Sequence, residues 1–238
     1  MVPIYKSVDK DFFKIWTREM AYVLGFFSAD GYITVNKRGG QFWCIQITDK
    51  KLLEQIRKAI GSEHKISARP RNRNESALYR LQIGSIEMCD DLRKLGFSER
   101  KTKSLAVLNV PDKYFADFAR GYFDGDGSVW VGFVHKERIT KLLAIRTIFT
   151  SCSKGFLEIL KSKLEKNKIT NGVLRKGKGN YCRLTYSIHG SLKLYDFMYN
   201  HNIKDLGGLY LNRKKKIFDK FKKMRPWCSG LTQSPVTR

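Results

Sequence analysis

The sequence predicts an α+β fold built twice in tandem, each half reading helix, strand, strand, helix, strand, strand, helix, with the halves related by a pseudo-two-fold axis. Three observations predict it. First, AYVLGFFSADGYITV (21–35) recurs as FARGYFDGDGSVWV (118–131), superposing Gly25 on Gly121 and Asp30 on Asp126 at one offset of 96 residues. Second, the likeness continues downstream in order: DKKLLEQIRKAIG resembles SKGFLEILKSKLEKN, ALYRLQIGS resembles RLTYSIHGS, and SERKTKSL resembles YLNRKKKIF. Third, capping residues and glycines punctuate segments that alternate between helical and strand periods. The expected domains are an N-terminal arm (1–17), a first half (18–108), a second half (109–224) and a polar, turn-forming, disordered tail (225–238).

The elements follow in order. Thr17 and Asp112 are candidate N-caps of the two helices ending at Gly31 and Gly127, with Pro111 just outside the second. YITVNKR then alternates Tyr32, Thr34, Asn36 and Arg38 against Ile33, Val35 and Lys37, and YCRLTYSI alternates Tyr181, Arg183, Thr185 and Ser187 against Cys182, Leu184, Tyr186 and Ile188. Each sheet should therefore have one polar and one largely apolar face. Thr48 and Asp49 open an amphipathic helix that stops at Gly61, Ser85 opens one that stops at Gly96, and Ser191 is the expected start of the matching helix in the second half. RKKKIFDKFKKMR (213–225) carries eight basic residues around a stripe of Ile217, Phe218, Phe221 and Met224, the pattern of a packed helix with a phosphate-facing side.

A chain of 238 residues with 42% hydrophobic content can bury a core, and no apolar run reaches the roughly 18 residues a membrane span needs. The N-terminus lacks the apolar core of a signal peptide, so an intracellular protein is expected, in a prokaryotic cytoplasm or an organelle and not secreted. Five scattered cysteines, without C-x-x-C or a His at ligand spacing, support neither a disulfide scaffold nor a zinc site. The balance of 46 Lys and Arg against 22 Asp and Glu leaves a formal charge of +24, which self-repels unless a polyanion neutralises it. Nucleic acid is the commonest such partner.

The acids at the ends of the repeated helix stand against that background. A helix C-terminus is partially negative, so a carboxylate there is unfavourable by roughly 0.3–1 kcal/mol. Gly25 and Gly121 lie mid-helix, where glycine costs about 1 kcal/mol against alanine, and this suggests close backbone approach. If the two helices cross at these glycines, Asp30 and Asp126 emerge together, and a hard divalent cation such as Mg²⁺ is the natural remedy for their repulsion. Metal-dependent phosphoryl transfer is the leading chemistry for such a pair. An EF-hand counted from Asp124 fails, because Val129 and His135 stand where Gly and Glu are required. No P-loop, H-E-x-x-H or G-x-S-x-G supports another hydrolase.

VLGFFSADG (23–31) and ARGYFDGDG (119–127) resemble the two signature motifs of the LAGLIDADG homing endonucleases, and with the duplicated downstream elements the resemblance covers about residues 18–224. It implies the single-chain, two-motif branch: a monomeric, intron-encoded meganuclease whose two sheets form a DNA-binding saddle. It implies cleavage of both strands across the minor groove, at a pseudo-palindromic duplex target of about 20 base pairs. The last acids of the motifs, Asp30 and Asp126, are then catalytic metal ligands, with Ala29 and Gly125 in the same metal set, for Mg²⁺ in a site that Mn²⁺ or Ca²⁺ can also occupy. Ser28 replaces the first acid that Asp124 retains, which marks position 124 as a capping or local structural residue.

The resemblance also implies a basic residue near each scissile phosphate: Lys101 and Lys214, with Lys103 and Lys215 as rivals. Gln46 could order water in the first half, where the second offers Thr150. The polar strand faces are the expected readers of DNA. They comprise Tyr32, Thr34, Asn36, Arg38, Arg69, Arg71, Arg73, Arg80 and Gln82 in the first half, and Arg175, Lys176, Lys178, Arg183, Thr185 and Ser187 in the second. Loop-borne Arg73, Lys176 and Lys178 suit phosphate contacts. The alternative function on the same fold is an RNA maturase or a non-catalytic DNA-binding regulator.

Overall fold

The structure, a computed structural model, describes residues 6–69, 76–99, 109–135, 139, 141–200 and 208–230, with backbone alone for 225–230. The first repeat comprises α1 (Arg18–Asp30), β1 (Gly31–Val35), β2 (Gln41–Ile47), α2 (Lys50–Ala59), β3 (Ser67–Arg69), β4 (Leu78–Gly84) and α3 (Ile86–Lys94). The second comprises α4 (Phe115–Asp126), β5 (Gly127–Val134), β6 (Leu142–Ser151), α5 (Lys154–Lys166), β7 (Val173–Lys176), β8 (Cys182–Tyr186) and α6 (Ile188–Tyr199), followed by α7 (Asn212–Gly230). Each repeat forms one four-stranded antiparallel sheet, of order β1-β2-β4-β3 and β5-β6-β8-β7.

Strand register makes the duplication exact in kind. Gly31 pairs with Ile45 as Gly127 pairs with Phe149, and Gln46 pairs with Arg80 as Thr150 pairs with Arg183. Gln46 and Thr150 are thus equivalent positions, as are Arg80 and Arg183. The chain divides into two compact units, Met1–Asp126 with Asn202–Tyr210, and Gly127–His201 with Leu211–Arg238. The unit boundary falls after α4 rather than before it, because α4 packs along α1.

Caps explain most helix starts. Thr17 accepts from the Met20 amide, Asp49 from Leu52, Ser85 from Met88 and Ser153 from Phe156. Gly61 and Gly96, at φ of 60° and 95°, end α2 and α3 in the left-handed region that favours glycine. Four boundaries differ from the sequence-based expectation. Asp112 begins a single 3₁₀ turn, Asp112–Tyr114, that leads into α4, so it does not cap α4. β1 ends at Val35, because the Asn36 side chain accepts from the amides of Arg38 and Gly40 and folds the chain into a turn. α6 starts after Ser187, not at Ser191, whose buried hydroxyl donates to the Tyr186 carbonyl. α7 continues past Arg225, where a disordered tail was expected to begin.

In the first unit Ile33, Trp43, Ile45, Leu81 and Ile83 line the buried face of the sheet, and the Phe27 ring meets Trp43 and Phe97 edge-on. In the second unit Leu143, Ile145, Phe149, Leu184 and Tyr186 line the corresponding face beneath α5, α6 and α7. α7 contributes Phe218 and Phe221, and Phe218 packs on the rings of Tyr195 and Tyr199 from α6. Among the described residues no helix packs on the opposite face of either sheet.

Candidate functional site

The crossing of α1 and α4 is reciprocal at atomic detail. A Cβ added to Gly25 would lie 2.1 Å from the Phe118 carbonyl oxygen and 2.9 Å from the Tyr122 nitrogen. One added to Gly121 would lie 2.0 Å from the Tyr22 oxygen and 2.9 Å from the Phe26 nitrogen. Residues 118 and 122 are the repeat equivalents of 22 and 26, so the two contacts are copies of one another across a local two-fold axis. No side chain fits at either glycine, and this closeness is what their helix-propensity cost obtains.

One turn further on, the helix ends meet. A Cβ at Gly125 would stand 2.3 Å from the Ala29 Cβ and 3.2 Å from Asp30 Oδ2, so the Asp30 carboxylate faces the backbone that immediately precedes Asp126. Asp30 and Asp126 are the last residues of α1 and α4, and neither helix has a basic residue in its last turn. Asp30 is half-buried and Asp126 exposed. Gly31 is not there for an unusual backbone angle, since its φ is −90° and ψ 161°. A Cβ on it would lie 2.0 Å from Phe27 Cδ2, so glycine lets the chain turn across a core aromatic ring.

Asp124 stands apart from this pair. It is buried, 2% exposed, and accepts a 2.8 Å hydrogen bond from the Tyr22 hydroxyl across the helix crossing. At the equivalent place in α1 the buried Ser28 hydroxyl donates to its own helix at Leu24. Arg120, also buried, pairs with Asp117 at 2.6 Å and donates from Nε to the Leu209 carbonyl.

The carboxylates at these two helix C-termini are hard oxygen donors of the kind a divalent cation takes. Among the described residues no group of three or more His, Cys, Asp or Glu gathers. A cation there would complete its shell with backbone carbonyls, those of Ala29 and Gly125 being nearest in sequence, and with water or substrate oxygens. Lys214 lies in the first turn of α7, is 5% exposed, and donates from Nζ to the Gly127 carbonyl at 2.6 Å. Gly127 is the residue after Asp126. Lys215 points elsewhere: its ammonium pairs with Asp219 at 3.0 Å. Lys101 and Lys103 lie outside the described residues, as do Arg71 and Arg73.

The open face of the first sheet carries Tyr32, Thr34, Gln46, Arg69, Arg80 and Gln82, which share one side by register. Gln46 donates from Nε2 to the Tyr32 hydroxyl at 2.9 Å. Burial pushes that hydroxyl's pKa up, the Cys44 thiol adds to the shift, and Arg80 opposes it. The buried Nε of Arg80 has no hydrogen-bond partner among the described residues. Asn36 and Arg38 sit in the turn beyond the strand, so they extend this surface at its end and do not share its alternation.

The second sheet gathers its expected residues in one place. A groove of about 600 Å³ is lined by Arg175, Lys176, Lys178, Arg183, Thr185 and Ser187, all six predicted readers of that half. Lys176 is the last residue of β7 and pairs with Cys182, which places it on the other parity from Arg175 and not in a loop. Sequence reasoning missed two further members of the open face, Arg146 and Trp130, which pair across β5 and β6 with the guanidinium 5.8 Å from the ring centroid. Their signal was present in the alternation of Ser128, Trp130 and Gly132 against Val129 and Val131.

Residues 17–96 match the family of the LAGLIDADG-like domain. No curated protein matches the chain. Among solved structures, the chain resembles I-SmaMI bound to an uncleaved DNA target in the presence of calcium ions, with 14% identity, a TM-score of 0.61, and coverage of 88% of this chain and 90% of that one. It resembles the LAGLIDADG meganuclease I-AabMI bound to uncleaved DNA, with 18% identity, a TM-score of 0.59, and coverage of 89% and 91%. It also resembles the I-LtrWI LAGLIDADG homing endonuclease bound to target DNA, with 17% identity, a TM-score of 0.57, and coverage of 94% of each chain. Residues 17–96 are thus similar to the LAGLIDADG-like domain, and the chain has the two-repeat fold seen in the LAGLIDADG meganuclease structures.

Proposed function

We propose that the protein is a site-specific DNA endonuclease that hydrolyses one phosphodiester on each strand, with Asp30 and Asp126 holding divalent metal, Mg²⁺ by preference. The observation that carries this is the reciprocal crossing at Gly25 and Gly121, which sets the Asp30 carboxylate against Gly125 at the negative ends of two helices. The DNA-bound state of the similar structures supports the same reading.

A divalent cation bound to these carboxylates supplies Lewis acidity and a water of lowered pKa. The chain's own residues do the rest. Asp30 and Asp126 would hold the metal, with the backbone carbonyls of Ala29 and Gly125 beside them in sequence. Lys214, fixed by the Gly127 carbonyl, is the chosen lysine of the second repeat, where it offsets negative charge developing on the phosphate. Lys215 is committed to Asp219 and is set aside. In the first repeat the choice between Lys101 and Lys103 rests on sequence alone. Arg80, Gln82, Arg146, Arg175 and Arg183 offer donors to base edges and phosphates from the open sheet faces. The target is a pseudo-palindrome rather than a true palindrome, because equivalent positions of the two sheets carry different side chains.

The test is cleavage of a randomised duplex library in Mg²⁺ by the wild type and by the Asp30→Asn and Asp126→Asn variants. The wild type is expected to make double-strand breaks at one sequence, and each variant to keep its affinity for that sequence while losing double-strand cleavage. Full cleavage by both variants would overturn the site. Binding without cleavage by the wild type would instead favour a regulator or an RNA-directed protein on this fold.

A further inference from the structure

The exposed side of α7 carries charge that the proposed chemistry does not use. Arg213, Lys216, Lys220 and Lys223 recur at i, i+3, i+7 and i+10, all exposed. They lie on the side of the helix opposite Lys214, Phe218 and Phe221, which are buried. At 1.5 Å per residue the stripe is about 15 Å long.

On other helices some exposed lysines pair within a turn, as Lys50 does with Glu54 and Lys154 with Glu158, while Lys51, Lys58 and Lys166 have no carboxylate partner among the described residues. The α7 stripe differs in aligning four such cations on one side of one helix. On α7 itself Lys215 is paired with Asp219, and Lys222 with Asp196 of α6. Among the described residues no carboxylate pairs with any of the four stripe cations. Like charges at i,i+3 and i,i+4 repel, so the bare helix carries an electrostatic cost that a polyanion would remove.

The position of the stripe restricts that polyanion. α7 packs on β5 and β6 from the buried side of the second sheet, so its outer face looks away from the open face that carries Arg146, Arg175 and Arg183. A duplex lying on the open face would have to bend sharply around the helical layer to reach the stripe, and DNA has a persistence length of about 150 base pairs. A separate segment reaches it without bending. Four long-chain cations in a line, with the Asn212 amide at one end and no aromatic side chain among them, suit a sugar-phosphate backbone held chiefly by charge.

We propose that Arg213, Lys216, Lys220 and Lys223 form a second, sequence-independent DNA-binding surface that captures another duplex segment by its phosphates while the open face of the second sheet holds the first. The inference rests on the sheet face being a DNA surface. Its consequence is transfer of the protein between DNA segments without full release, a search device for an enzyme that must find one site in a genome.

The experiment uses the full chain and a fluorescein-labelled 30-base-pair duplex of random sequence, chased with rising concentrations of unlabelled duplex. In the wild type the release rate of labelled DNA should rise severalfold with competitor concentration, because the competitor binds α7 before the label leaves. The R213Q/K216Q/K220Q/K223Q variant should release its label at a rate independent of competitor, with its melting temperature unchanged. A second duplex should bind the saturated wild type with a salt slope of about −3 to −4. A wild-type release rate that ignores competitor, or a quadruple variant that keeps the acceleration, overturns the proposal. Acceleration by duplex RNA but not by duplex DNA overturns the choice of partner. An R175Q/R183Q variant separates the two readings, since unchanged capture of the first duplex by it would sink the sheet-face assignment and leave the stripe to be judged by its own variant.

Discussion

At the scale of single residues, the two halves differ most informatively at one buried pair. Tyr22 donates to Asp124 at 2.8 Å, whereas the repeat equivalents of these positions are Phe118 and Ser28. Hydroxyl and carboxylate are kept together in one direction and lost together in the other, as expected where an unpaired buried charge is more costly than no charge. Tyr22→Phe should therefore destabilise the fold by about 1–3 kcal/mol, by removing a donor from a buried carboxylate. The double variant Tyr22→Phe, Asp124→Ser copies the other half's pair and should cost less than the sum of its singles by about 1 kcal/mol in a urea-denaturation cycle. Additive losses would show that the bond carries no coupling. Gly121→Ala should also destabilise, by roughly 1–3 kcal/mol despite the better helix propensity, because its methyl would meet a backbone oxygen that cannot move aside. Gly25, Gly121, Asp30 and Asp126 were legible in sequence because each violates a local rule at the same place in both copies. The Tyr22–Asp124 bond was not, since nothing local pairs residues 102 apart until the crossing is known.

At the scale of elements, α7 shows how one acid sorts a run of cations. Asp219 accepts from the Tyr195 hydroxyl at 2.6 Å and from Lys215 at 3.0 Å, tying α7 to α6. Burial works to raise its pKa, but the Tyr195 and Lys215 hydrogen bonds outweigh burial and leave it below the usual carboxylate range. A depressed carboxylate contributes stability that is present above its unfolded pKa and lost as pH falls through the folded value. The α6–α7 junction should therefore loosen below about pH 4. Asp219→Asn should lower the melting temperature at neutral pH and flatten that acid loss, as read by thermal melts across a pH series. A wild-type acid loss that persists in full in the variant would place its cause elsewhere. The run RKKKIFDKFKKMR specified a helix and its apolar stripe, but it did not say which of Lys214 and Lys215 turns inward. That choice depends on Tyr195 and the Gly127 carbonyl, partners that are distant in sequence. Helix and strand ends were the least legible feature for a related reason. Asn36 prefers its own turn to the strand, decided by local bonds that periodicity does not encode, and Ser187 precedes α6 without any side-chain capping bond that would mark it in the sequence.

At the scale of the whole molecule, duplication made the fold readable, because a pattern seen twice in the same order constrains topology more than either copy alone, while net charge points to a polyanionic partner. On the proposed function, the formal charge of +24 predicts binding of DNA dominated by counterion release. If about ten phosphates are neutralised in the bound target, the logarithm of the association constant should fall against the logarithm of salt concentration with a slope near −9. Fluorescence anisotropy of the wild type between low and physiological salt measures it, in buffer freed of divalent metal so that no cleavage intervenes. Charge removed from the open sheet face, as in Arg183→Gln, should flatten the slope by about 1 and weaken binding, whereas the Asn substitution at Asp30 should leave the slope unchanged. A slope shallower than about −4 would mean that most of the basic residues never meet a phosphate. The excess charge would then serve solubility rather than recognition, and side-chain contacts to base edges would have to supply most of the affinity.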